Sequence, residues 1–413
     1  MNKLFLNSNL LPKILMVCTE YPPMQGGIGR YTHSLAIALR KIGYDVQTVS
    51  NKMGNGDFSG LSPSHTDDSQ ILLQLVDKTK PDIVHVQYEQ GMYGLVLNGL
   101  RPTKTQTNID SFYDKCKTPI VTTFHSGYTF KQWLKLVQSL KPLKPNFEKG
   151  FSSNIVAKYW TSLLNYYSFH NLNKEKLAKS KMGIVFSDYL SKIIGGGKVI
   201  FHGAEPNSSS SRGKEVARKM FNLPKGDRIA LAVGFMTSTK GWDILEEIDV
   251  PTGWSIVTNS SHNDFGQKYS NRTLAKHGII DLQLNFLSEE YLSILFSSAD
   301  AVLLPYKVCS GSGVMFDALA HGLPFVATNL GFFKEFANKG LGITVDRNSN
   351  SFAKGLEELG MHYDIYKHAV DKFRSNICWT KIAEEHSNAY KEILEREASI
   401  IPALANKQRL PHN

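Results

Sequence analysis

Cysteine is scarce. The four residues Cys18, Cys116, Cys309 and Cys378 are scattered through 413 positions. No CxxC pair or metal-ligand spacing joins them, so they describe no disulfide framework and suit a reducing compartment. Long apolar runs are missing too. No stretch reaches the roughly 18 residues of a membrane span. The opening MNKLFLNSNLLPKILMV is not expected to be a signal peptide, because Asn7, Asn9 and Pro12 break it and no small-residue cleavage site follows. Neither the dinucleotide fingerprint GxGxxG nor the phosphate loop GxxxxGK[ST] is present. Zinc-finger, RNA-recognition and basic-zipper signatures are also absent, so the net charge of +10 does not point to nucleic acid. It suits nucleotide phosphates or lipid head groups, or simply a basic solvated surface.

What is there is a folded, soluble composition, with 42% hydrophobic and 20% charged residues and length for two domains. KILMVCTEY (13–21) is a short apolar run closed by two prolines and a glycine pair. RYTHSLAIALRKIG (30–43) then carries apolar residues at helical spacing, and YDVQTVS (44–50) reads as a strand. Strand, turn, helix and strand open a doubly wound sheet. The apolar runs 81–89 and 118–126 read as further buried parallel strands. Segments 51–70 and 101–117 read as polar loops. Glycines 195–197 mark a break, after which the alternation restarts at 228–235, 254–260, 279–287, 299–306, 323–328 and 341–346. Two Rossmann-like domains are therefore expected, over 1–197 and 198–374, with KVIFHGAEP (198–206) as a strand of the second. An amphipathic helix in 375–413 either packs on the second domain or crosses back to the first.

Three glycine-containing turns stand between a strand and a helix, where backbone N–H groups can approach a phosphate closely. The first holds Gly26, Gly27 and Gly29. The second, GFMTSTKGWDIL (234–245), adds Lys240, whose ammonium can pair with a diphosphate. The third, CSGSGVMFDALAHG (309–322), places Ser310, Gly311, Ser312, Gly313 and Val314 before a helix containing Asp317, a carboxylate suited to ribose hydroxyls.

Taken in order, these segments resemble the retaining glycosyltransferases of the family 4 type, over Lys13 to about Asp346. PPMQGGIGRY, VHVQYEQGMYG (84–94), IVTTFH ending at His125, VIFHGAEP, the lysine turn 234–241 and the block from Asp300 to Glu335 carry the likeness. The resemblance implies a GT-B fold, two α/β Rossmann-like domains facing a cleft. It implies transfer of a sugar from a nucleoside diphosphate sugar, UDP- or GDP-linked, to a glycan or lipid-linked acceptor. His125 would sit beside the reacting sugar, and Lys240 would stabilise the leaving diphosphate. Gly26, Gly27, Gly29, Ser310, Gly311, Ser312, Gly313, Val314 and Asp317 would bind the donor. Glu89, His125 and His202 would face the sugar or acceptor.

Two positions depart from the family pattern. Phe235 stands where many relatives carry arginine. The Glu-x7-Glu pair is replaced by Cys309 and Asp317. No DxD motif occurs, so no obligatory metal is expected, nor any cofactor beyond the donor itself. Residues 133–150 mix lysines with aromatics and leucines. They read either as an ordinary surface segment or as a peripheral contact with the cytoplasmic membrane face. An epimerase acting on sugar nucleotides, or a non-catalytic sugar-nucleotide-binding protein, stands as the alternative.

Overall fold

The computed structural model describes residues 11–98, 101–102, 106–139, 155–208, 213–261 and 278–407. The N-terminal extension before Leu11 and residues 140–150 of the lysine-rich stretch lie outside them.

The first apolar run forms β1 (Lys13–Val17), with Ile14 to Val17 fully buried. Gly-rich backbone leads into α1 (Gly27–Lys41), which turns Tyr31, Leu35, Ala38 and Leu39 to the core. Gly43, at φ +99°, reverses the chain into β2 (Asp45–Asn51). There follow β3 (Phe58–Leu61), α2 (Asp68–Thr79), β4 (Ile83–Tyr88), a small hairpin β5 (Leu97–Asn98) and β6 (Arg101–Pro102), and α3 (Asp110–Lys115). Next come β7 (Ile120–Phe124), α4 (Phe130–Ser139), α5 (Ile155–Lys179), β8 (Met182–Val185), α6 (Asp188–Ile194) and β9 (Lys198–Val199). Seven strands make one parallel sheet in the order β3-β2-β1-β4-β7-β8-β9.

The second sheet is built in the same way. Its connecting elements are α7 (Lys214–Met220), β10 (Arg228–Phe235), α8 (Trp242–Glu247), β11 (Trp254–Ser261), β12 (Ile279–Asp281) and α9 (Glu289–Ser298). They continue with β13 (Ala301–Leu304), α10 (Gly313–Ala320), β14 (Phe325–Thr328), α11 (Gly331–Ala337), β15 (Gly342–Val345), α12 (Ser349–Met361) and α13 (Tyr363–Phe373). The strand order is β12-β11-β10-β13-β14-β15, again parallel.

Three segments differ from the sequence expectation. Residues 51–70 hold β3 and the start of α2, and 101–117 hold α3. Both segments are polar because β3 is a short edge strand and α3 spans less than two turns. Lys198 and Val199 pair with β8, so the first sheet runs past residue 197. The rest of 200–206 is coil that crosses between the sheets.

α14 (Trp379–Lys407) lies against α1 of the first domain. Tyr44 Oη meets Ser387 Oγ at 2.7 Å, and Tyr390 Oη meets His85 Nδ1 at 2.7 Å. Lys181–Glu397 and Lys198–Glu392 flank the seam. In a second contact between the domains, Glu335 of α11 accepts from the N–H groups of Asp188 and Tyr189 at the start of α6. A carboxylate from one domain thus caps a helix of the other. Among the described residues no helix is long and apolar enough to cross a membrane.

Candidate active site

In an open parallel sheet a crevice forms where neighbouring strands send their connections to opposite faces, at the carboxyl ends. Here those points are β1/β4 in the first sheet and β10/β13 in the second. The turns leaving β1, β10 and β13 therefore converge on the cleft, and they are the three glycine turns of the sequence.

Two adjoining cavities, of about 440 and 350 Å³, occupy the cleft. The larger is lined by Gly26, Gly27 and Arg30 of the first domain and by Val314 and Asp317 of the second. Glu89, His125, Ser310, Gly311 and Ser312 line the smaller. Gly27, His202, Lys240 and Gly313 touch both, so they mark the junction.

The lysine turn is shaped by Gly241. It sits at φ +82°, and a Cβ there would fall 1.8 Å from the carbonyl oxygen of Pro305. Lys240 rests with Nζ 3.9 Å from the centre of the Tyr306 ring, a cation–π contact that aims it along the cavity wall. Gly241→Ala is expected to destabilise the protein by more than about 2 kcal/mol, since it combines backbone strain with a clash against main chain. Urea denaturation would read this directly, and a midpoint within error of wild type would refute it.

At the third turn, Ser312 caps α10 by accepting from Met315 N at 3.2 Å. Its hydroxyl is engaged in holding the helix N-terminus open toward the cleft. Ser310 and Tyr128 of the first domain both line the smaller cavity. The Cys309 thiol is buried and donates to Gly311 O at 3.4 Å, and burial pushes its pKa up to about 12. No charge stands where the family's first glutamate would be.

The first turn differs from the expectation for Gly29. Its N–H donates to Glu20 Oε1 at 2.7 Å, and a Cβ on it would meet the Glu20 backbone at 2.9 Å. A Cβ on Gly26 would land 1.8 Å from the same carboxyl group. The α1 N-terminus therefore already holds an anion of its own chain. Gly26 and Gly27 reach the cavity. Gly29 instead lets the helix approach the Glu20 turn.

His125 Nε2 lies 2.9 Å from Gln87 Oε1, an atom that can only accept, so Nε2 carries the proton. Burial lowers its pKa to about 3, and the ring is neutral, with Nδ1 left as an acceptor. Gln87 Nε2 in turn faces His85 Nε2 at 3.4 Å, and His85 Nδ1 faces Tyr390 Oη. A buried chain of hydrogen bonds thus ties the catalytic candidate to α14. His202 donates from Nδ1 to Gly203 O at 2.8 Å and is likewise neutral, its pKa lowered to about 4 by burial. Glu89 is half-buried in the wall of the smaller cavity; desolvation raises its pKa, while the N–H groups of Gly91 and Met92 and the Ser126 hydroxyl pull the other way.

Sequence reasoning missed Arg30. Its guanidinium crosses the cleft to Asp317, with Nη1–Oδ2 at 2.6 Å and Nη2–Oδ1 at 3.1 Å, and its Nε reaches Glu289 at 2.7 Å. Asn259 was missed as well. It holds the loop after β12, accepting from Leu284 N at 2.8 Å and donating to Asn285 O at 3.0 Å. Phe286 of that loop stacks on Phe235, ring centres 6.3 Å apart. Among the described residues no group of three His, Cys, Asp or Glu side chains is placed to hold a metal ion.

Comparison with known proteins agrees with this architecture. The starch synthase catalytic domain family matches residues 13–60. An uncharacterized glycosyltransferase of Methanocaldococcus jannaschii is 22% identical over 425 residues, covering 93% of this chain and 99% of that protein. Sucrose-phosphate synthase of Thermosynechococcus elongatus superposes with a TM-score of 0.65 at 14% identity, covering 93% of this chain and all of that one. HepE of Anabaena, solved with UDP and glucose, does so at 0.61 and 13%, covering 92% of this chain and 100% of that one. The motifs held in order across both domains, and a glycosyltransferase matched from end to end, lead to one conclusion: the chain has the GT-B fold and is similar along its length to glycosyltransferases.

Proposed function

We propose that this chain is a glycosyltransferase of the retaining family 4 type and moves a hexosyl group from a UDP- or GDP-sugar to a glycan or lipid-linked acceptor. One observation carries the reading: Lys240, the open N-terminus of α10 and Gly27 meet where the two cavities join. A diphosphate placed there has its nucleoside in the larger cavity and its sugar in the smaller one. The second domain then holds the donor, through Lys240, Gly313, Val314 and the carboxylate of Asp317 toward the ribose. The first domain receives the acceptor beside Glu89, His125 and His202. Location on the cytoplasmic side, at the membrane surface, fits a lipid-linked acceptor, although the apolar residues Trp133 and Val137 of the 133–150 stretch pack into the core and are not free to face it.

Transfer proceeds on one face of the sugar. The acceptor oxygen attacks the anomeric carbon from the side the diphosphate leaves, the bond from that carbon to the diphosphate oxygen breaks, and the departing oxygen takes the acceptor proton. Lys240 and the α10 N–H groups stabilise the negative charge that grows there. Neutral His125 offers Nδ1 to a sugar hydroxyl and is no nucleophile. Glu89 keeps its carboxyl hydrogen-bonded to its own loop, so it serves position and not covalent attack.

A thermal-shift screen against UDP, GDP, ADP and their sugar conjugates tests the reading. A ligand bound by the folded state alone raises Tm. At 100 times its Kd a donor adds about 2.7 kcal/mol. A shift confined to one base identifies the donor class, whereas no shift with any nucleotide would remove the donor reading.

A further inference from the structure

The larger cavity has an unusual balance of charge. Among its described lining residues the lysines and arginines are Lys240 and Arg30, set against the carboxylates of Glu205, Glu289 and Asp317. A nucleoside diphosphate sugar adds about two negative charges to that wall, and one ammonium does not offset them. The α1 N-terminus offers little further help, because the Glu20 carboxylate already occupies it.

Arg30 and Asp317 hold matching places. Each lies one helical turn beyond a cleft glycine, Arg30 three residues after Gly27 on α1 and Asp317 four residues after Gly313 on α10. The two helix starts face each other, and the side chains meet between them. Asp317 is nearly buried, with 6% of its side chain exposed, while Arg30 keeps 34%. Of the five guanidinium N–H groups, three are used, one toward Glu289 and two toward Asp317. Two remain on the terminal nitrogens. The carboxylates engage Nε and both terminal nitrogens, and although burial works against the charge, Asp317 and Glu289 raise the pKa further, so the guanidinium stays charged at every accessible pH.

Resting on the donor reading above, we propose that Arg30 binds the donor's phosphate at its nucleoside end, supplying from the first domain the second cation that the second domain lacks. Asp317 orients that fork and still has lone pairs for the ribose. Glu289 is its counterweight: it fixes Nε and opposes the incoming phosphate. Because Arg30 stands on one domain and its partners on the other, the phosphate completes its contacts when the cleft is closed.

Isothermal titration with a nucleoside, its monophosphate and its diphosphate in the uridine, guanosine and adenosine series separates the possibilities. Wild type is expected to bind one diphosphate more tightly than its nucleoside. Arg30→Gln is expected to weaken that diphosphate about 10- to 100-fold, the range for a charge-assisted contact, and the nucleoside less than about threefold. Glu289→Gln should act in the opposite direction, tightening the diphosphate about threefold or more as a like charge is removed. Arg30→Lys, which keeps Asp317 paired, carries the test if Arg30→Gln fails to fold, with a loss of about tenfold. Equal weakening of nucleoside and diphosphate would reduce Arg30 to an interdomain clasp and overturn the proposal. Unchanged diphosphate affinity in a folded variant would overturn it as well. If wild type binds no nucleoside diphosphate at all, the donor reading fails first and takes this one with it.

Discussion

Lys240→Ala is expected to lower turnover by about 10² or more at saturating donor, the usual cost of removing one group that stabilises charge developing on a leaving atom. The stability of the protein should barely change. The ammonium packs on the open face of Tyr306, 3.9 Å from its centre, and such a contact contributes on the order of 1 kcal/mol. The turn itself is held by Gly241 and by Lys307 N donating to Thr239 O at 2.8 Å, neither of which needs the lysine side chain. The variant therefore separates chemistry from folding. The loss should fall mainly on kcat, because charge on the diphosphate grows as the sugar leaves. Steady-state rates over a donor titration would show it. A folded variant with an unchanged kcat would take Lys240 out of the mechanism.

Strands and turns near the cleft were legible in the sequence for a physical reason. A strand buried on both faces is mostly apolar, and the turn at its carboxyl end needs glycine for close approach. VHVQYE, IVTTFH and RIALAVGF all carry that mark. β3 and α3 do not, since an edge strand of four residues and a helix of six need little apolar surface. The pairings across the cleft were not legible at all. Arg30 looks like any helical arginine until the fold brings Asp317, 287 positions away, against it. Glu20 reads as the end of a strand, yet it folds back onto the next helix. The Gln87–His85–Tyr390 chain spans 305 positions between its histidine and its tyrosine. A hint of it lay in the polar His85 and Gln87 alternating within an otherwise apolar run. Such residues in a buried strand require partners, but a pattern does not say which.

The same buried histidines make the protein's stability depend on pH. His125, His202 and His386 have pKa values lowered to about 3, 4 and 4, and His85 is also lowered well below its ordinary value. Burial is the main cause in every case. At His85 the charges of His386 and His125 add to it, at His125 that of His202 does, and at His386 the Ile382 carbonyl opposes burial while Lys198 assists it. At His202, Asp317 opposes burial and Arg30 assists it. In the unfolded chain these rings take up protons near pH 6.5. Between the two values the unfolded state holds protons that the folded state excludes. Stability is therefore complete above about pH 6.5 and is lost as pH falls toward 4. Protonation of His85 has a structural consequence as well. Its Nε2 would become a donor facing the donor Nε2 of Gln87, breaking the chain that orients His125 from α14. Several such groups together cost on the order of several kcal/mol, which in a chain of this length corresponds to a fall in Tm of roughly 5 °C between pH 7 and 4.5. His386→Leu isolates the contribution of His386 from that of the carboxylates. His386 donates from Nδ1 to Ile382 O at 2.8 Å, but its buried Nε2 has no partner, so leucine sacrifices little at neutral pH. The variant should show a shallower decline of Tm with acidification than wild type. Melting curves in buffers from pH 7 to 4.5 give the comparison, and parallel declines for the two proteins would take His386 out of the acid sensitivity.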